Sequence, residues 1–131
     1  MIPAADLAAL GAERFVSLTT FRRTGEPVST PVWVARDGDE LVAFTPSDTG
    51  KLKRLRNDDR VELRPCGRAG QVADGVEPVG GTARIDTSAG ALSRVTALLK
   101  GKYGAEYRIV LALERLANGF RPKPRVVLRI S

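Results

Sequence analysis

The chain has 131 residues, of which 43% are hydrophobic, and this is enough for one globular domain with its own core. It contains a single cysteine and no histidine, which excludes an internal disulfide, histidine–zinc sites and catalytic triads or pairs that use histidine. The formal net charge of +6 indicates an anionic partner: nucleic acid, a membrane surface or a phosphorylated small molecule.

No segment of the sequence predicts a membrane span or an export signal. A run of about 18 apolar residues, which a membrane helix needs, does not occur. The N-terminal segment, Met1 to Leu7, lacks a basic leader followed by an apolar stretch and a cleavage site. We therefore expect a single domain over residues 1–131 that resides in the cytoplasm and makes no contact with a membrane.

The beginning of the chain predicts a short helix and a β-hairpin. The spacing of two leucines favours a helix over residues 3–10. Apolar and β-prone residues predict a strand over 14–21, and alternation of side chains predicts a second strand over 28–35. The turn at 23–26 joins these strands into a hairpin.

The middle of the chain predicts three more strands and a short helix. Asp37-Gly38 is a strong hairpin signal, and Ser47 or Asp48 is placed to cap the helix. In chain order the predicted elements are a turn at 36–40, strand 41–45, a helix ending near 57, strand 61–66, a glycine-rich loop at 67–75 and strand 79–85.

Two helices and a closing strand complete the prediction. From residue 88 the apolar period becomes helical, with one helix ending near Gly104 and a second over 105–117. The second helix is apolar on two faces, which is typical of a helix that is buried on more than one side and predicts a homodimer. The last strand is 125–130, and the whole pattern predicts five strands in a meander, two helices and a closing strand in a small antiparallel barrel.

The predicted strand over 28–35 contains a proline, Pro31. Proline has no N–H for a β-ladder, so it lies at an edge or at a bulge. It leaves neighbouring backbone groups free to contact a ligand, but a proline also protects an edge strand from aggregation. The strand alone is consistent with both interpretations.

The segment 45–56 brings hydroxyl groups, a glycine and cations together where a strand ends and a helix begins. Lys51 and Arg54 are three residues apart and therefore share one helical face. The free N–H groups of a helix N-terminus favour anions, and lysine and arginine add charge that suits phosphate. The alternative is a solvated charged face. The spacing of glycine and lysine is not that of a P-loop.

Other candidate residues carry weaker signals. Arg121, Lys123, Arg125 and Arg129 follow the last acidic residue, Glu114, and form a basic end that can bind an anion or only keep the protein soluble. Tyr107 is predicted in the core or at an interface, and Tyr103 at a helix end. The sequence gives Cys66 no neighbour that lowers a thiol pKa, so we expect it to be inert.

Four segments together resemble the coenzyme F420-dependent oxidoreductases of the pyridoxamine 5'-phosphate oxidase-like split-barrel superfamily. The resemblance extends over residues 15–130. It depends on the sequence and spacing of the segments 20–33 (Thr-Phe-Arg-Arg-Thr-Gly-Glu-Pro-Val-Ser-Thr-Pro-Val-Trp), 48–57 (Asp-Thr-Gly-Lys-Leu-Lys-Arg-Leu-Arg-Asn), 61–66 and 80–83.

The resemblance implies an α+β, mainly β protein: a split β-barrel of the FMN-binding type, with six or so antiparallel strands and two to four helices. It implies a homodimer with its site at the interface, where the helical region 103–111 completes the partner's pocket. It also implies two groups of cofactor-binding residues. One group holds the ring (Thr30, Pro31, Val32, Trp33), and the other holds the phosphate (Thr45, Ser47, Gly50, Lys51, Arg54).

The resulting prediction is an oxidoreductase that transfers hydride from reduced coenzyme F420, a deazaflavin, to a small organic substrate. Hydride transfer needs orientation more than acid–base residues, so a chain without histidine is compatible with it. The first alternative is an FMN-binding oxidase or flavin carrier. The second is a non-catalytic basic barrel that binds nucleic acid, which the low aromatic content of 5% disfavours.

Overall fold

The computed structural model describes residues 2–47, 49–117, 119 and 125–131, which form an antiparallel sheet and packed helices. The strands are β1 (Val16–Phe21), β2 (Pro27–Val32), β3 (Ala35–Asp37), β4 (Glu40–Pro46), β5 (Arg60–Pro65), β6 (Val79–Asp86) and β7 (Arg125–Ile130). The helices are α1 (Ala4–Ala12), α2 (Gly50–Asn57), α3 (Ala91–Tyr103) and α4 (Ala105–Ala117). None of the described helices combines the length and apolar content of a membrane span.

The strands lie in the order β2-β1-β5-β6-β7-β4-β3, and each pair of neighbours is antiparallel. This confirms the mainly β, α+β class, and the predicted meander is wrong. Strand β4 pairs with β7 instead of β5, because α2 carries the chain away from β4 to an edge of β1. Strand β7 then enters between β6 and β4, where the buried Ile130 faces Ala83 on one side and Leu41 on the other.

The strand predicted over 28–35 is divided in two at Val34. Strand β2 ends in register with β1, and β3 begins in register with β4. Between them, the Val34 N–H donates to the Tyr103 hydroxyl (3.2 Å), and the Val34 carbonyl accepts from Lys102 Nζ (2.6 Å). Side chains of α3 therefore satisfy the backbone N–H and carbonyl of the buried Val34, which pair with no neighbouring strand among the described residues. At this residue the chain crosses from the β1–β2 part of the sheet to the β3–β4 part.

Two apolar clusters hold the helices on the sheet. In the larger cluster α1 contributes Leu7 and Leu10, and α2 contributes Leu52 and Leu55. The smaller cluster packs α3 and α4 on β4 and β7, with Leu99 among its members. Burial of one such leucine contributes about 1.5–3 kcal/mol, so these few side chains are enough to hold short helices that would not be stable in isolation.

Among the described residues, helix α4 packs on one side only. Tyr107 is its buried residue. On the opposite side Ile109, Leu113 and Leu116 have exposed fractions of 59%, 63% and 65%. The burial on two sides that its sequence predicts is therefore not supplied by the described part of this chain.

Two of the four cations at the basic end of the chain are neutralised, which corrects the prediction of an unopposed patch for these two. Arg129 Nε donates to Asp86 (2.7 Å) and Nη1 to Asp37 (3.0 Å), while Arg125 pairs with Glu114. The sheet provides the acids for Arg129, because Asp86 lies on β6 next to β7 and Asp37 lies on β3, beyond β4. The other two cations of the patch, Arg121 and Lys123, lie outside the described residues.

Candidate functional site

A cleft of about 330 Å³ lies where β2 and β4 end and α2 begins. Strand ends and an adjoining helix start commonly form ligand pockets, since their side chains and backbone groups converge without pairing to one another. The described residues that line the cleft are Phe15, Pro31, Val32, Trp33, Phe44, Thr45, Pro46, Lys51, Arg68, Leu99, Glu114 and Arg125.

Trp33 forms one wall of the cleft and is fixed in place by α3. Its ring is stacked on that of Tyr103, with centroids 4.4 Å apart and planes 12° apart. The Tyr103 hydroxyl donates to the Arg14 carbonyl (2.8 Å) and accepts from the Val34 N–H (3.2 Å). These two hydrogen bonds fix the hydroxyl end of the Tyr103 side chain. The cleft therefore has a rigid aromatic wall beside the apolar edge of Pro31 and Val32.

Two further aromatic rings in the cleft are each covered by an arginine. The Arg125 guanidinium lies 4.8 Å from the ring centroid of Phe44, and that of Arg68 lies 5.9 Å from Phe15. Arg125 is also paired with Glu114, which places one carboxylate in the cleft beside a cation. Arg68 is exposed in the loop and pairs with Glu106 of α4 (3.4 Å).

The polar corner of the cleft is formed by Lys51 and Thr45. Lys51 lies in the first turn of α2 and is half-buried, and burial, followed by the nearby charge of Arg54, lowers its pKa. The ion pairs among the described residues do not include Lys51. A partly desolvated ammonium with no carboxylate beside it is poorly compensated, and an anion in the cleft would compensate it.

The first turn of α2 carries no charge that stabilises a helix N-terminus. It contains no acidic residue, and Thr49, at the N-cap, makes no capping hydrogen bond. The Thr49 hydroxyl donates instead to the Pro46 carbonyl (3.1 Å) and lies 3.3 Å from the Thr45 hydroxyl. Because cations are unfavourable near a helix N-terminus, this end of α2 is better suited to an anionic ligand than to stability of the free helix.

The structure brings five of the nine predicted site residues together in the cleft and separates the other four. The five that line the cleft are Pro31, Val32, Trp33, Thr45 and Lys51. Gly50 and Arg54 line a neighbouring basic cavity. Ser47 is exposed in the turn after β4, and Thr30 lies on β2 just before the cleft. The Thr30 hydroxyl is buried without a hydrogen-bond partner among the described residues, so it has an unused donor and acceptor near the site.

Several residues of the cleft are not among the predicted site residues, because they are distant in sequence from the two predicted segments. Phe15 is predicted in a strand, and Arg125 in a basic end that can bind an anion or only keep the protein soluble. Arg68 lies in the glycine-rich loop and Glu114 on α4, where neither has a local motif. The one available signal was the proximity of Arg68 to the predicted strand 61–66. Cys66 lies outside the cleft, and burial raises the pKa of its thiol, as expected for an inert cysteine.

Comparison with known proteins gives a family and several similar structures. No curated protein sequence matches this chain. The family model described as pyridoxamine 5'-phosphate oxidase matches residues 2–131. A conserved hypothetical protein from Mycobacterium tuberculosis is 25% identical, with a TM-score of 0.67, over 100% of this chain and 81% of that one.

Two other similar structures have names that state a ligand or an activity. A FAD-binding protein from Mesorhizobium loti is 20% identical, with a TM-score of 0.61, over 98% of this chain and 87% of that one. An F420 reductase is 17% identical, with a TM-score of 0.58, over 93% of this chain and 89% of that one. At these identities the likeness establishes the fold, and it confirms the predicted split barrel. Since the family model spans nearly the whole sequence, this chain belongs to the pyridoxamine 5'-phosphate oxidase family.

Proposed function

We propose that the protein is an oxidoreductase that uses coenzyme F420 to reduce a small organic substrate. The observation that carries the proposal is that one cleft combines a fixed aromatic and apolar wall with an ammonium, that of Lys51, which has no ion-pair partner among the described residues. A planar ring system with a phosphate-bearing side chain has both of the matching features. The reductase and FAD-binding protein with the same fold add support at the level of ligand class.

The residues of the cleft fit such a cofactor. Pro31, Val32 and Trp33 would contact the ring, and Lys51 with the Thr45 hydroxyl would hold the phosphate. The buried Thr30 hydroxyl, which has no partner among the described residues, is available to donate to a polar atom of the ring edge. When bound, reduced F420 supplies the hydride. The protein's own residues orient the ring, exclude water and neutralise the phosphate.

FMN is the alternative cofactor, because it shares the ring shape and the phosphate. The deazaflavin is favoured by the net charge of the chain, since its acidic tail suits a protein with 21 Lys and Arg against 15 Asp and Glu. A nucleic-acid function gains no support here. A protein that binds single strands needs several aromatic side chains along its groove, and only 5% of this chain is aromatic.

We also propose that a second copy of the chain covers the outer side of α4, whose three large apolar residues are more than half exposed. Glu114 of the same helix lines the cleft from the side of α4 that carries the buried Tyr107, so the cleft and the apolar face lie on different sides of one helix. A second copy seated on α4 would lie next to the open side of the cleft, where the resemblance to the family expects a partner subunit. Such a dimer removes from water an apolar patch that a soluble monomer rarely exposes.

The function is tested by titrating the purified protein separately with F420 and FMN and following the absorbance of each ring. The proposal expects saturable binding of F420 that is tighter than binding of FMN, and oxidation of reduced F420 when an acceptor substrate is added. Tighter binding of FMN would favour the alternative cofactor. Binding of neither would overturn the cofactor site.

A further inference from the structure

A second cavity, of about 600 Å³, lies between the turn that joins β1 to β2 and the outer side of α2. Four cations line it: Arg22 and Arg23 from the turn, and Lys53 and Arg54 from the helix. One carboxylate, that of Glu26, lines it as well. Lys51 belongs to the first cleft and is absent from the lining of this one, so the start of α2 has basic cavities on two sides.

The Arg54 side chain is fixed at the wall of this cavity by a hydrogen bond. Its Nε donates to the hydroxyl of Thr20 at 2.7 Å, and Thr20 is completely buried. Gly50, one turn earlier, makes room for the guanidinium: a Cβ at this position would lie 2.9 Å from Arg54 Nη1. One edge of the guanidinium is thus anchored to the barrel, while the rest of the side chain borders the cavity.

The turn opposite is held in shape by its backbone. The Arg22 N–H donates to the Glu26 carbonyl at 2.9 Å, and the Gly25 N–H donates to the Arg22 carbonyl at 2.8 Å. Gly25 has a φ of 88°, a conformation that suits glycine and closes the turn tightly. The backbone positions of Arg22 and Arg23 are therefore fixed, and both residues face α2 across the cavity.

The four cations are not neutralised within the described residues, where every ion pair involves other basic side chains. Burial, followed by the charge of Arg22, lowers the pKa of Arg54, as expected for a partly desolvated guanidinium beside a second cation. The other arginines with an anchored guanidinium, such as Arg129, meet carboxylates. Arg54 is anchored in the same way, but the carboxylate in the described lining of this cavity, that of Glu26, forms no ion pair with it.

We infer that this cavity is a second anion site, which takes a group with at least two phosphate or carboxylate charges. In the described lining, four cations against one carboxylate leave a surplus that a single charge would not balance, and the arginine forks suit planar or tetrahedral oxyanions. The ligand has two conceivable sources: a free oligoanion, or the acidic extension of a molecule whose ring lies in the first cleft. The second source rests on the proposed function, whereas the site itself does not.

The site is tested by calorimetric titration of the protein with sodium tripolyphosphate at low salt. The variants K53Q and R23Q remove one lining cation each, and R56Q removes a cation from the same helix that lines neither cavity. All three positions are exposed, so folding should be preserved. We expect K53Q and R23Q each to weaken binding about five- to tenfold, and R56Q to leave it within about twofold. Equal affinity in the wild type, K53Q and R56Q, or no binding to the wild type, would overturn the second site.

The source of the anion is decided by repeating the F420 titration with the same variants. If K53Q weakens F420 binding but not FMN binding, the acidic extension of the cofactor occupies the cavity. If K53Q leaves both unchanged while tripolyphosphate binding falls, the ligand is a free oligoanion. Failure of the proposed function, with no binding of either cofactor, leaves the tripolyphosphate titration unaffected, so the two failures are distinguishable.

Discussion

The ring of Tyr103 lies parallel to that of Trp33, with centroids 4.4 Å and planes 12° apart, and its hydroxyl bonds the backbone of the next residue, Val34. One side chain of α3 thereby fixes both the wall of the cleft and the point where β2 gives way to β3. Lys102 adds a second anchor, because its Nζ donates to the carbonyls of Glu13 and Val34 at 2.6 Å each. The shape of the cleft thus depends on a helix that contributes little to its lining.

Replacing Tyr103 with phenylalanine separates stacking from hydrogen bonding. The Y103F variant keeps the ring on Trp33 and leaves the buried Val34 N–H without its acceptor, which should lower the free energy of unfolding by about 1–3 kcal/mol. Urea denaturation followed by fluorescence measures this, and the signal is specific because Trp33 is the single tryptophan of the chain. A free energy within about 0.5 kcal/mol of the wild type would mean that the hydroxyl does not hold the break between the strands.

Replacing Lys51 with alanine tests the phosphate corner. Loss of a charge-assisted contact should weaken binding of F420 and FMN by about 1.5–3 kcal/mol, or roughly ten- to a hundredfold, when absorbance titrations are compared. The free energy of unfolding should change by less than about 0.5 kcal/mol, since the ammonium makes no ion pair within the described residues.

The matched control for Lys51 is Arg56, which is exposed on the same helix and lines neither cavity. Lys53 suggests itself from the sequence as a control because it points elsewhere on the helix, but it lines the second basic cavity and is unsuitable. Wild-type affinity for both cofactors in K51A would place the phosphate elsewhere, and the interpretation of a merely solvated helix face would then prevail.

The ion pairs around Arg129 should make the fold sensitive to acid. Hydrogen bonds from the Ser88 hydroxyl and then from Arg129 hold the pKa of Asp86 well below its usual range, and Arg94 and Arg129 do the same for Asp37. Carboxyls with lowered pKa values stabilise the fold above their unfolded pKa of about 3.9, and this contribution is lost as the pH falls below it. Thermal unfolding should therefore occur at progressively lower temperature from about pH 5 downward.

The variant D86N identifies the source of that dependence. Its melting temperature should be below that of the wild type at pH 7, and the gap should narrow as the pH falls from about 4 towards 2, because the unfolded wild-type carboxyl is then protonated while the folded one is still ionised. Asp39 is exposed in the adjacent turn, and D39N is the matched control, expected to follow the wild type at every pH. A gap between D86N and the wild type that is constant from pH 7 to pH 2 would rule out the titration of Asp86 as its cause.

What the sequence predicts well here is local. The turn at Asp37-Gly38 closes the β3–β4 hairpin, and Gly38 has the positive φ of 63° that such turns favour. Thr45 and Lys51 likewise lie at one strand end and at the helix start that follows it, and both line the cleft as the sequence predicts. Contacts between residues that are close together in the sequence can therefore be predicted from it.

What the sequence does not reveal depends on distant contacts. The division of the second strand requires Tyr103 and Lys102, which are 69 and 68 positions away from Val34. Glu114 and Arg125 reach the cleft from α4 and β7, and their pairing has no local motif. The meander expectation failed for the same reason, since the place of β7 between β6 and β4 is decided by packing of the whole sheet.

The outer face of α4 gives the most direct test of the proposed dimer. Ile109, Leu113 and Leu116 follow one side of the helix at spacings of four and three, and Leu113 is 63% exposed. A charge at this position is well tolerated by a monomer but is buried without a partner in an interface formed by this face. The variant L113D should therefore reduce the mass seen by sedimentation from twice the chain mass to 14.1 kDa, with an unchanged circular dichroism spectrum.

On α3 the exposed Leu92 is the matched control, and L92D should remain a dimer. Since Glu114 of α4 lines the cleft, L113D should also weaken cofactor binding if the second copy completes the site. A wild-type protein that sediments as a monomer at micromolar concentration would remove both the dimer and the shared site.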